Sequence, residues 1–197
     1  MKPVRRDLAR QKPARRPIIS VALACAGLAA TLVLSSCSGG GGNGSGSGSG
    51  SGNPDGPRVA AAFYPLAFVA DRVAGDQAEV TNLTKPGVEP HDLEPSVRQM
   101  VSLASADLVL VLKGFQPPID TAVEQNASGV VLDAAQVVDL EASSGRADPH
   151  FWLDPVRLGK LAEAVADQLA AIDPGEASGY HSRATALVAE LDELDRS

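Results

Sequence analysis

The sequence predicts an α/β fold for residues 58–197, with a parallel four-stranded sheet flanked by helices. Short apolar runs alternate along this region with segments of helical periodicity, which is the pattern of a parallel sheet with crossover helices. The run DLVLVL over residues 107–112 is almost continuously apolar, as expected for a strand covered on both faces. Residues suited to helix ends, such as Gly75 and Ser96, separate the segments.

The first strand is predicted over RVAAAFYP, ending at Pro65. The next segment, LAFVADRVAG, predicts a helix that ends at Gly75, because glycine is a common residue after a helix. The side chains predicted to face the sheet from this helix are Leu66, Val69, Ala70 and Val73. AEVTNL predicts a second strand, followed by a loop over residues 84–95.

The second half of the sheet follows the same alternation. SVRQMVSLASA predicts a helix capped by Ser96. Its predicted buried stripe consists of Val97, Met100, Val101 and Ala104. The strand over residues 107–112 comes next, then a short helix over PPIDTAVEQN and a strand over GVVLDA.

Two further helices complete the chain. The first is capped by Asp154 and opens with Pro155, and its predicted buried face comprises Leu158, Leu161, Ala162, Val165 and Leu169. The second places Tyr180, Ala184, Leu187, Leu191 and Leu194 on one face. We expect this last helix to be partly frayed, because a second lobe that would pack on it is absent and isolated helices of this length are marginal in water.

The region before residue 58 predicts export and membrane attachment rather than a core. Residues 1–36 combine a basic start with an uncharged apolar stretch, which is typical of a secretory signal peptide. That stretch ends in LSSC, which resembles the bacterial lipobox and implies cleavage before Cys37 and lipidation of its sulfur. The alternative is a transmembrane anchor, since about 18–20 apolar residues can span a bilayer. Residues 37–57 are rich in Gly and Ser and predict a flexible tether.

Charge limits the classes of partner. The whole chain has a formal net charge of −7, and removal of the signal peptide leaves 10 basic and 23 acidic residues, a net charge of about −13. Such a surface disfavours binding to nucleic acid or anionic lipid and is compatible with attraction of cations.

The residues that could bind a ligand are histidines. Of three in the chain, His91 lies in GVEPHDLEPS and His150 in ADPHFWLDP, each after a proline and shortly before a predicted helix. Both are predicted beyond the carboxyl ends of strands, where open α/β sheets bind ligands. Either histidine alone would more often be a hydrogen-bonded structural residue, whereas in these matching settings a structural role and a metal-binding role are equally good interpretations. His181 lies on an acidic helix and is expected to be solvated.

The segments from FYPLAFVADRVAG to GVEPHDLEPS, and DPHFWLDPVRLGKLAEAVADQLAAIDP after them, closely resemble the metal-binding solute-binding lipoproteins of ABC importers, the group with zinc and manganese members. The resemblance implies that His91 and His150 are the first two metal ligands. It implies further ligands from a second lobe, an ABC permease as partner, and capture of the ion outside the cytoplasm. Residues 58–175 would be the amino-terminal lobe and 176–197 the start of a long linking helix, so we expect a fragment.

The resemblance leaves several details open. The EPHD motif favours zinc over manganese, because the manganese members resemble DPHE at this point. Asp92 and Glu94 are candidates to orient His91 from the outer shell of the site, whereas Asp148 and Asp154 are expected in a turn and a helix cap. Trp152 and Phe151 are expected to pack beside the site. A lipid-anchored monomer with no enzymatic activity is predicted, and a surface adhesin is an alternative. A zinc hydrolase is disfavoured because no paired ligand motif with a general base is present.

Overall fold

The computed structural model describes residues 53, 55–143 and 146–197, with the backbone alone at Asp92, 142, 143 and 146. The predicted signal peptide, Cys37 and most of the tether lie outside these residues. Within the described part of the chain, no helix is both long enough and apolar enough to cross a bilayer.

A parallel sheet of four strands forms the centre of the fold, which confirms the predicted class. Its strands are β1 (Arg58–Ala61), β2 (Glu79–Asn82), β3 (Leu108–Val111) and β4 (Val130–Asp133), in the order β2-β1-β3-β4. The register places Val59 of β1 between Val80 of β2 and Leu108 of β3. All four residues of β3 are buried, as the apolar run predicts.

Among the described residues, five α-helices and one small hairpin accompany the sheet. The helices are α1 (Tyr64–Ala74), α2 (Val97–Ser105), α3 (Pro117–Asn126), α4 (Pro155–Ile172) and α5 (Ala177–Asp195). The hairpin pairs β5 (Ala142–Ser143) with β6 (Arg146–Ala147) in antiparallel register just before His150. The sequence analysis did not predict this hairpin, because two-residue strands have no measurable periodicity.

The boundary between β1 and α1 differs from the prediction. The strand ends at Ala61 instead of Pro65, and Pro65 lies in the first turn of α1. A proline is well tolerated there, because the first backbone N–H groups of a helix have no partner inside it. The predicted buried face of α1 is confirmed, and Gly75 follows the helix with a φ of 57°.

The predicted buried stripe of α2 is wrong. Ser96 and Gln99 form the expected start of the helix as a capping box, but Val97 is 79% exposed and Val101 62% exposed. Ala104 is also exposed and Met100 only partly buried, whereas Leu103 is the buried residue. The amide of Gln99 also donates to the carbonyl of Leu83 at 2.5 Å, a contact between α2 and the end of β2 that periodicity does not predict.

Helices α4 and α5 pack against each other and against α1. The predicted face of α4 is fully confirmed. On α5, burial extends as far as Leu191, but Leu194 is 61% exposed, so its place in the predicted stripe is wrong. The expectation of fraying assumed an isolated helix. Because α5 packs along α4, we now expect fraying only beyond Leu191.

Arg183 joins α5 to the end of α1. Its Nε donates to the carbonyl of Val73 at 2.6 Å, and its guanidinium lies 5.2 Å from the ring centre of Tyr180. A methyl group added at Gly75 would lie 3.2 Å from Arg183, and one at Gly179 would lie 3.1 Å from it. These two glycines therefore leave the space that the arginine side chain occupies.

Candidate metal site

The candidate site lies where the chain changes direction across the sheet. From β1 the chain moves to β2 at one edge, and then returns past β1 to β3. The segments after β1 and β3 therefore begin side by side at the carboxyl edge of the sheet. Open α/β folds bind their ligands at such switch points.

An aromatic cluster occupies this edge and lies against both histidines. Phe63 follows β1 and Phe115 follows β3, and their ring centres are 4.8 Å apart. Trp152 contacts both, at 5.3 Å from Phe63 and 5.8 Å from Phe115. The ring of His91 lies 4.2 Å from Phe115, and that of His150 lies 5.1 Å from Trp152. The structure thus brings the two predicted ligands to one shared cluster, with Trp152 as a packing residue.

His91 lies in a single 3-10 turn over Pro90–Asp92 and is exposed. The carbonyl of Pro90, next to it, accepts a hydrogen bond of 2.6 Å from the amide of Gln116. Gln116 itself is only 2% exposed, so this bond fixes the loop to the interior. Leu93, two residues after the histidine, is buried. The position of the His91 backbone is therefore set on one side by the hydrogen bond from Gln116 to Pro90 and on the other by the buried side chain of Leu93.

Thr84 fixes the start of the same loop. Its hydroxyl donates to the carbonyl of Ala62 at 2.7 Å and lies 3.3 Å from the amide nitrogen of Gln116. Sequence reasoning explained the rigidity of this loop by its prolines alone and missed both Thr84 and Gln116. The only signal for Gln116 in the sequence is a polar residue directly after an apolar strand and an aromatic residue.

His150 is oriented through its ring by Asp148. The Nδ1 atom of His150 lies 2.7 Å from Oδ1 of Asp148, and the same oxygen accepts from the backbone N–H of His150 at 3.0 Å. A carboxylate partner at Nδ1 favours the tautomer with the proton on that nitrogen, which leaves Nε2 as the free electron-pair donor. The backbone hydrogen bond, followed by the ring hydrogen bond, lowers the pKa of Asp148. The turn role expected for Asp148 is confirmed, and its ring contact was missed.

The other predicted residues are less engaged with the histidines. Glu94 is exposed, and none of the hydrogen bonds found among the described residues joins it to His91. The side chain of Asp92 is not described. An outer-shell role for Asp92 and Glu94 stays a prediction. Asp154 caps α4 by accepting from the backbone N–H of Arg157 at 3.1 Å, as expected. The side chain of His181 is 51% exposed, as expected.

Large apolar side chains are exposed on the segments that border the histidines. Tyr64 is 67% exposed, Leu153 is 76% exposed and Val88 is 43% exposed. Within residues 53, 55–143 and 146–197, no three His, Cys, Asp or Glu side chains converge as a metal-binding group. The two imidazoles carry nitrogen donors, a ligand type that suits zinc.

Comparison with known proteins agrees with the fold and with the motifs. Residues 59–197 match the family model described as zinc-uptake complex component A, periplasmic. The manganese-binding lipoprotein MntA of Halalkalibacterium halodurans is 31% identical over 72% of this chain and 48% of its own length. The iron-binding protein YfeA of Yersinia pestis is also 31% identical, over 70% of this chain and 46% of its own. The chain therefore spans about half the length of these relatives.

Among solved structures, the Zn(II)-bound AdcA of Streptococcus pneumoniae superposes with a TM-score of 0.64 at 28% identity. The match covers 72% of this chain and 32% of that one. The family model covers well over half of the present chain, and it includes both histidine motifs. The chain belongs to the zinc-uptake complex component A family.

Proposed function

We propose that this chain captures Zn²⁺ outside the cytoplasm as part of a solute-binding lipoprotein that delivers the ion to the permease of an ABC importer. His91 and His150 are the proposed ligands. The observation that carries the proposal is their common position: two histidines from distant parts of the chain lie against one aromatic cluster at the ligand-binding edge of the sheet.

The donor chemistry favours zinc as the transported ion. Imidazole nitrogen is a preferred zinc ligand, whereas manganese prefers sites richer in oxygen. The ring contact from Asp148 fixes the orientation of His150, as carboxylate partners do in zinc sites. Manganese is the alternative, since the relatives named above include manganese-binding and iron-binding proteins.

The rest of the coordination shell comes, in this proposal, from a second lobe that closes over the site. The exposed side chains of Tyr64, Val88 and Leu153 support such a contact, because apolar groups beside a binding site are commonly covered by a partner surface. Binding and release, with no bond chemistry, are the whole of the proposed activity. The proposal includes a single copy of the protein, a lipid on Cys37 that attaches it to the membrane, and no nucleic-acid partner.

A zinc titration followed by fluorescence tests the ligand assignment. Trp152 is the only tryptophan in the chain, and its ring lies 5.1 Å from that of His150, so its emission reports directly on the site. We expect saturable Zn²⁺ binding that His91→Ala and His150→Ala each weaken by at least about tenfold. His181→Ala, on the exposed face of α5, is the matched control and should leave the affinity unchanged. Equal affinity in all four proteins would refute the assignment.

The same titration tests the choice of metal. In a competition between Zn²⁺ and Mn²⁺, we expect zinc to displace manganese, because the described ligands are nitrogen donors. Tighter binding of Mn²⁺ would favour the manganese alternative, and the assignment of His91 and His150 as ligands would still stand.

A further inference from the structure

Arg157 connects the start of α4 with the segment that precedes the β5–β6 hairpin. Its Nη2 atom lies 2.6 Å from Oε1 of Glu141, and its Nε atom lies 3.2 Å from Oδ2 of Asp154. The Arg157 side chain is 20% exposed, so its guanidinium is largely enclosed by these contacts. The bond to Glu141 spans 16 residues of sequence.

Glu141 lies at the base of the hairpin that leads to His150. The backbone N–H of Asp148 donates to the carbonyl of Glu141 at 2.7 Å, and Ala142 pairs with Ala147 inside that closure. Glu141 and Asp148 therefore lie opposite each other at the base of the hairpin. Any shift of Glu141 is transmitted to Asp148 through this short backbone bond.

Asp148 contacts His150 through both the backbone and the ring. We propose that Arg157 is a positioning residue for His150, because it fixes Glu141, which fixes Asp148, which orients the imidazole. This inference rests on the proposed role of His150 as a metal ligand. Arg157 itself has no described contact with either histidine, so it acts only through the intervening residues.

A purely structural role for the guanidinium accounts poorly for this arrangement. The backbone N–H of Arg157 already donates to Asp154, so the helix start is capped without the side chain. Glu141 is 71% exposed, and salt bridges with an exposed partner contribute little to global stability. The geometry fits a local function instead, namely fixing the approach to His150.

Arg157→Met in the full chain is the direct test, with Zn²⁺ as the probe and Trp152 emission as the readout. We expect a zinc affinity weaker by about threefold to tenfold, less than the ~10–100-fold loss typical when a group that contacts a ligand directly is removed. Nitrogen NMR of the His150 ring should show a mixture of tautomers in place of the Nδ1-protonated form. Arg157→Lys, which keeps the charge, should restore part of the affinity.

Arg72→Met is the matched control. It removes a salt bridge of similar length, 2.7 Å to Glu190, on α1 and α5, and should change neither the affinity nor the tautomer. Glu141→Gln removes the other partner without altering α4. If Glu141→Gln weakens zinc binding by the amount expected for Arg157→Met, the inference holds even if Arg157→Met itself does not fold.

The outcomes separate this inference from the proposed function. Normal zinc affinity in Arg157→Met and Glu141→Gln, together with weak binding in His150→Ala, would overturn the positioning role and leave the function intact. Normal affinity in His150→Ala as well would overturn both. A lower Tm in Arg157→Met with an unchanged tautomer and an unchanged affinity would show a structural role and would also overturn the inference.

Discussion

Replacing Asp148 by Asn tests how much of the zinc affinity depends on the orientation of His150. The substitution keeps the size of the side chain and one oxygen that can accept the backbone N–H of His150, so the turn is preserved. It removes the negative charge that faces Nδ1 of the ring at 2.7 Å. An amide at this position can also present its own N–H to the ring, which permits the wrong tautomer.

The expected loss follows from the exposure of this pair. Partners that orient a ligand from the outer shell typically contribute ~10–100-fold to metal affinity. The side chains here are 52% and 41% exposed for His150 and Asp148, so water screens their interaction. We therefore expect Asp148→Asn to weaken Zn²⁺ binding by about tenfold, the lower end of that range.

The assay is a competition titration between the protein and a chelating dye, read at Trp152. Asp139→Asn is the control, because it makes the same chemical change in an ion pair that involves neither histidine, the 3.4 Å pair of Asp139 with Lys160. If Asp148→Asn binds zinc as tightly as the parent chain, the carboxylate stabilises the turn alone and the orientation argument is refuted.

Three further predictions concern stability and dynamics. Burial raises the pKa of Tyr180 to about 12, whereas the unfolded side chain ionises near 10. The contribution of this pKa difference to the free energy of unfolding is therefore complete below about pH 10 and is lost as pH rises through about 12. Between about pH 9 and about pH 11 the parent chain should lose about 1 kcal/mol more unfolding free energy than Tyr180→Phe in urea titrations; equal losses would contradict this. Gly75→Ala should destabilise the fold by roughly 1–3 kcal/mol, because φ is 57° there and Arg183 lies 3.2 Å from the added methyl. Unchanged stability would show that the backbone adjusts freely. Hydrogen exchange should be slow in α5 as far as Leu191 and fast beyond it, since Leu194 is exposed; rapid exchange along the whole helix would contradict the packing on α4.

The elements of the sheet could be predicted because each has a strong local signal. The apolar run over residues 107–112 contains β3, and the pair Pro117 and Pro118 opens α3 in both sequence and structure. Ser96 and Asp154 cap helices as their residue types suggest. The settings of His91 and His150, between prolines and before a helix, were also local and led to the correct edge of the sheet.

Several of the features that were missed depend on contacts between distant residues. Gln99 of α2 bonds to the carbonyl of Leu83, 16 residues away, and periodicity cannot weigh this bond against the burial of Val97 and Val101. Gln116 reaches Pro90 across 26 residues. Such bonds form between groups that are common in any sequence, so only the folded chain shows which of them are made.

The two histidines are fixed by different means, and this has a consequence for binding. At His91 the backbone is fixed by Gln116 through Pro90, and the contact described for the ring is with the tilted ring of Phe115. At His150 the ring itself is oriented by Asp148. Ordering a side chain on binding costs free energy, and this cost is smaller for a ring that is already oriented. In the proposed function, the His150 ring therefore loses less conformational freedom when an ion binds than the His91 ring does, because Asp148 already orients it.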